Sequence, residues 1–111
     1  MRVVKATRYE RPLQGLSVTL GLLKHSGVVV TLTNGRTYLI HKGSQFGTPT
    51  GGQTVVVDTR HMDMSRWTPV YSTTKTVSWS KVTDYVKAGG HEYHTLLDNC
   101  HGAASRMMRL P

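Results

Sequence analysis

Cys100 is the only cysteine in a chain of 111 residues, and six histidines, His25, His41, His61, His91, His94 and His101, are available to act with it. The thiolate is the nucleophile, so a lone cysteine does chemistry only where its surroundings lower its pKa and a base can reach it. The pattern from residue 98 onward meets the first condition. Asp98 or Asn99 is a good N-cap, and Cys100, Ala103, Ala104 and Met107 fall at i, i+3, i+4 and i+7, one stripe of a helix facing a core. In the first turn of that helix the unpaired backbone N–H groups and the positive end of the dipole favour thiolate over thiol. The same turn, flanked by Asn99 and His101, can hydrogen-bond an oxyanion forming on a carbonyl attacked by the sulfur. His101 itself is poorly aimed as the base, because the next helical residue points about 100° away.

The base has to come from another element, and a hairpin offers two histidines. Residues 26–32 are rich in β-branched side chains, Asn34-Gly35 is a turn signal, and residues 36–41 form a second strand. A two-residue Asn34-Gly35 turn puts His25 and His41 on opposite faces of the hairpin. A three-residue loop, Thr33-Asn34-Gly35, with Gly35 left-handed, makes paired residues sum to 68, so that His41 opposes Gly27 and His25 opposes Gly43. Both imidazoles then share a face as diagonal neighbours about 7–8 Å apart, close enough to converge on one thiol or to order one another. The three-residue loop is the expected form.

The remaining elements frame this pair. Residues 16–23 fit strand or short helix equally. Residues 54–59 read as a further buried strand and residues 67–71 as a weaker one, tempered by Pro69. Ser80 precedes Val82, Tyr85 and Val86 at helical spacing and caps a short helix ending at Gly89-Gly90. A strand follows over residues 92–96. The fold class expected is α+β: a small antiparallel sheet packed against a C-terminal helix that carries the cysteine, with residues 1–111 as a single domain.

Composition narrows the setting. A hydrophobic content of 38% fits a packed globular fold rather than disorder. The longest aliphatic run, Val28-Val29-Val30, is far short of the roughly 20 residues of a membrane-spanning helix. The charged start of the chain, with Arg2, Lys5, Arg8, Glu10 and Arg11, does not read as a secretory signal, and the lone thiol suits a reducing compartment, so a cytoplasmic location is expected. The formal net charge of +8 favours polyanions such as RNA, anionic lipid or an acidic protein. The basic residues fall singly, however, as on a solvated surface.

His25-Ser-Gly-Val-Val-Val, then Tyr38-Leu-Ile-His41, then Tyr93-His-Thr-Leu-Leu-Asp-Asn99-Cys100-His101 ahead of a helix resembles the H-box and NC-motif proteins. That family includes lecithin:retinol acyltransferase and the small phospholipase A/acyltransferases, circularly permuted relatives of the papain-like NlpC peptidases. The resemblance spans roughly residues 20–110. It implies a permuted papain-like fold with Cys100 as nucleophile, His25 as its base and His41 as the third member that orients or polarises His25. The aromatic residue usual after the first histidine is Ser26 here, and the residues after Asn-Cys are His101-Gly102-Ala103, differences that bear on substrate more than on the triad.

On this reading His25 takes the thiol proton, Cys100 attacks an ester or amide carbonyl, and water or an acceptor resolves the acyl-thioester. The substrate class spans phospholipid, amide and peptide, with the positive charge favouring an anionic interface. No cofactor is required. The same His25, His41 and Cys100 could instead hold zinc with one open position. His91-x-x-His94 lacks the spacing of a helical zinc motif, and residues 47–52 lack the Gly-Lys-Ser/Thr ending of a phosphate-binding loop. Trp67 and Trp79 read as packing residues. The reading from a different class is a catalytically inactive member of the fold, a basic binding module for RNA, anionic lipid or a protein partner.

Overall fold

The computed structural model describes residues 1–12, 24–42, 54–61, 65–90 and 100–111. Four antiparallel strands form the body of a sheet: β1 (Val3–Pro12), β2 (Lys24–Leu32), β3 (Thr37–Lys42) and β4 (Thr54–Asp58). Two short strands, β5 (Thr68–Pro69) and β6 (Lys75–Thr76), both pair with the outer side of β1, giving the order β4-β3-β2-β1-β5. Helices α1 (Val82–Gly89) and α2 (Cys100–Met108) complete the chain, so the architecture is α+β, with the single cysteine on the C-terminal helix.

Both helices cover one face of the sheet. Val28, Val30 and Leu32 of β2 and Ile40 of β3 point to that face and pack with Ala103, Ala104 and Met107 of α2 and Tyr85 of α1. A bulge between Val3 and Lys5 shifts the alternation of β1, so Val3 and Ala6 both enter this core despite their odd separation. The buried stripe of α2 consists of Cys100, Ala103, Ala104 and Met107, as its spacing predicts. Small Ala103 and Ala104 allow close approach to the sheet. Arg106 of α2 donates from Nε to the Ala88 carbonyl (2.6 Å) and from Nη2 to the Gly89 carbonyl (3.0 Å), satisfying acceptors that the end of α1 leaves open.

Three sequence expectations are corrected. Residues 54–58 do form a strand, but an edge strand with no buried residue and with Val56 exposed, because only β3 pairs with it among the described residues. The weaker strand shrinks to Thr68–Pro69, followed by a 3-10 turn at Tyr71–Thr73. Ser80 does not cap α1. Its hydroxyl donates to the Pro111 carbonyl (3.1 Å), while the helix entry is held by Lys81 N donating to Asp84 Oδ2 (2.8 Å). The readings of residues 16–23, 47–52 and 92–96 lie outside the described residues.

Candidate functional site

The β2–β3 hairpin closes as the three-residue loop. Leu32 N donates to Arg36 O (2.9 Å), Gly35 N donates to Leu32 O (2.9 Å), and Gly35 takes φ +85°, a conformation that glycine adopts without strain. Arg36 N is held in addition by Asn34 Oδ1 (3.0 Å). The resulting register pairs Gly27 with His41 and Val28 with Ile40, the sum-68 register, which sets His25 and His41 on one face.

The two imidazoles meet edge to face, with ring centroids 4.9 Å apart and planes at 89°. Nε2 of His25 lies 3.1 Å from Nδ1 of His41. Gly27 makes this contact possible, since a Cβ there would lie 2.8 Å from Leu39 Cδ1 and 3.1 Å from His41 Cβ. The buried Trp67 ring lies against both histidines, at centroid distances of 5.3 and 6.1 Å, and the Arg11 guanidinium lies 5.8 Å from the Trp67 centroid. Arg11 is itself buried and pairs with His25 across β1 and β2. The row Trp67, Arg11, His25 and His41 was not legible in the sequence, because β1 with its four charged residues carries no clear apolar alternation. The pairing of residues 11 and 25 was the missing signal.

Both histidines are neutral at neutral pH. Burial pushes His25 down to about 3, reinforced by the positive charges that His41, Arg11 and His101 would place near it. Burial likewise lowers His41 to about 4, opposed by a hydrogen bond with the Lys42 backbone and aided by Arg11. With one proton each, one ring must donate across the 3.1 Å contact. Nδ1 of His25 is buried without a hydrogen-bond partner among the described residues. An orphaned N–H is a rarer and costlier feature than an orphaned acceptor. The favoured tautomer therefore has His25 Nε2–H donating to His41 Nδ1, which leaves a lone pair on His25 Nδ1.

Cys100 is buried at the first position of α2, on the same helix stripe as Ala103, Ala104 and Met107. Its chain neighbour His101 meets the chain neighbour of His25: Ser26 Oγ lies 2.6 Å from His101 Nδ1, and Arg8 Nη2 donates to Ser26 Oγ (3.1 Å). Neighbouring side chains in a strand point to opposite faces. Ser26 occupies the helix-covered face with Val28 and Val30, so His25 and His41 occupy the other. The structure thus brings the two histidines together and does not bring Cys100 to them. Among the described residues no three His, Cys, Asp or Glu side chains are grouped to hold a metal ion. Asn99, His91, His94 and Gly43 lie outside the described residues. Trp79, unlike Trp67, is 77% exposed.

No family model, curated protein or solved structure matches the chain. Among the described residues no helix is long and apolar enough to cross a membrane. What the fold and site define is a class only: a small α+β domain with a buried neutral histidine pair on one face of its sheet and a cysteine-headed helix on the other.

Proposed function

We propose that the chain carries out cysteine-dependent acyl transfer or hydrolysis on an ester or amide through an acyl-thioester on Cys100, within a permuted papain-like fold of the H-box and NC-motif kind. The observation that carries this reading is the buried, neutral His25, whose Nδ1 has no hydrogen-bond partner among the described residues. The position of Cys100 in the first turn of a nine-residue helix supports it. His25 Nδ1 takes the thiol proton, Sγ bonds to the carbonyl carbon, and the alkoxide or amine leaves with that proton. Water or an acceptor hydroxyl or amine then cleaves the thioester and restores the thiol. For His25 to reach Cys100, the residue 24–26 end of β2 must turn over so that His25 takes the place of Ser26 on the helix face, giving up its hydrogen bond to His41.

The separation of thiol and histidine pair by the sheet favours a second reading, a non-enzymatic basic module for RNA, anionic lipid or a protein partner. Intact-protein mass spectrometry after exposure to short-chain phosphatidylcholine and to a p-nitrophenyl ester separates the two. The acyl-enzyme reading expects a hydroxylamine-sensitive adduct that disappears in Cys100→Ala and in His25→Ala. A folded protein with no adduct, binding RNA or anionic vesicles equally well with and without Cys100, sinks it.

A further inference from the structure

His25 and Ser26 compete for one place, because only one of two neighbouring side chains in a strand can face α2. Ser26 holds that place through a two-bond chain. Arg8 Nη2 donates to Ser26 Oγ, and since arginine accepts nothing, the Ser26 hydroxyl proton goes to His101 Nδ1 at 2.6 Å. This bond joins the residue after the candidate base to the residue after the candidate nucleophile.

We infer that the Ser26–His101 hydrogen bond is a latch on the thiol site: closed, it keeps His25 on the far face of the sheet from Cys100, and open, it frees the 24–26 end of β2 to turn over and deliver His25 to the thiol. The inference rests on the reading of Cys100 as nucleophile and His25 as base. Three features suit that end of β2 to the motion. The pairing of β2 with β3 begins at Gly27↔His41, so residues 24–26 are laddered to β1 alone among the described residues. Gly27, the residue about which the end must turn, has the widest backbone freedom of any residue type. The network that closes the latch is also incomplete, since Arg8 Nε is buried without a partner among the described residues, and breaking an incomplete network loses less than breaking a full one.

The test is the rate of Cys100 acylation by p-nitrophenyl acetate, read by p-nitrophenolate release and by intact mass. It is run on the wild type, Ser26→Ala, His101→Gln and His101→Asn, each alone and combined with His25→Ala. Ser26→Ala and His101→Gln, which remove the donor and the Nδ1 acceptor, are expected to acylate about fivefold faster than the wild type, the scale of one net hydrogen bond lost from the closed form. The gain disappears when His25→Ala is added. His101→Asn, whose amide oxygen can stand where Nδ1 stood, acylates more slowly than His101→Gln. If the opened variants run at or below a wild-type rate that still depends on His25, the latch is wrong and the thiol reading survives. If acylation depends on His25 in no variant, both fall together. Circular dichroism checks folding, and should Ser26→Ala fail to fold, His101→Gln, at a half-buried position, decides.

Discussion

His25 Nε2 and His41 Nδ1 share one hydrogen bond of 3.1 Å inside the protein, and neither ring gains a counter-charge for it. The pair therefore resists protonation, with His25 held at about 3 and His41 at about 4, against an ordinary imidazole value near 6.5. The unfolded chain takes up these two protons as pH falls through about 6.5, while the folded chain does not until about 4 and then about 3. Stability contributed by the pair is thus complete above about pH 6.5 and is lost on acidification between there and the folded values. The expected slope is about 1.4 kcal/mol per pH unit for each histidine. Urea unfolding at pH 7, 6, 5 and 4.5 checks this. His25→Gln should remove about half of the slope, and an unchanged slope would show that the pair is solvated rather than buried. Asp58, lowered to about 2 by its hydrogen bonds to Arg60, loses its share only below about pH 4 and does not confuse the window.

Gly27 is the position that lets the pair form. Replacing glycine by alanine inside a strand ordinarily stabilises, because glycine loses more backbone entropy on folding. Here the new Cβ lands 2.8 Å from Leu39 Cδ1 and 3.1 Å from His41 Cβ, and the Leu39 end can give way more readily than the β-carbon of a residue paired directly opposite. Gly27→Ala is expected to cost about 1–3 kcal/mol by overpacking. It should also raise the titration midpoint of His41, followed by proton NMR, as the ring is pushed toward water. A gain in melting temperature would mean that the space at Gly27 is not needed.

How far the sequence could be read follows from which forces are local. The hairpin register was legible because a loop of three residues with a left-handed glycine is a short-range choice, and Thr33-Asn34-Gly35 states it. The stripe of α2 was legible because Cys100, Ala103, Ala104 and Met107 keep helical spacing within one element. Strand β1 was not, because Arg8, Glu10 and Arg11 hide a central strand whose alternation is also broken by a bulge. The shared face of His25 and His41 followed from the register, yet the face on which α2 packs did not. That choice is made by Val28, Val30 and Ile40 over the Gly27 and Val29 side, where the histidines lie. A sequence containing Val28-Val29-Val30 offers apolar residues to both faces of the strand and leaves the helix free to choose.

Tyr85 gives the sharpest check on the helix face of the core. Its side chain is fully buried in the core that also holds Val3, Val30, Ala104 and Met107, and its hydroxyl has no hydrogen-bond partner among the described residues. Burial and the neighbouring Asp84 push its ionisation up to about 12, so it stays a neutral phenol at every ordinary pH. A buried hydroxyl that exchanges water for nothing is a net cost, of order 1–3 kcal/mol when the desolvation is complete. Removing it while keeping the ring leaves the packing and deletes the cost. Tyr85→Phe is therefore expected to unfold at a higher temperature than the wild type, by a few degrees for a domain of this size. Tyr85→Leu keeps the site apolar but loses ring volume, so it should unfold at a lower temperature through the cavity it leaves. The pair of variants separates the two terms by differential scanning calorimetry. If Tyr85→Phe instead lowers the midpoint, the hydroxyl has a partner in solution, and the packing of α1 on the sheet differs from the arrangement described here.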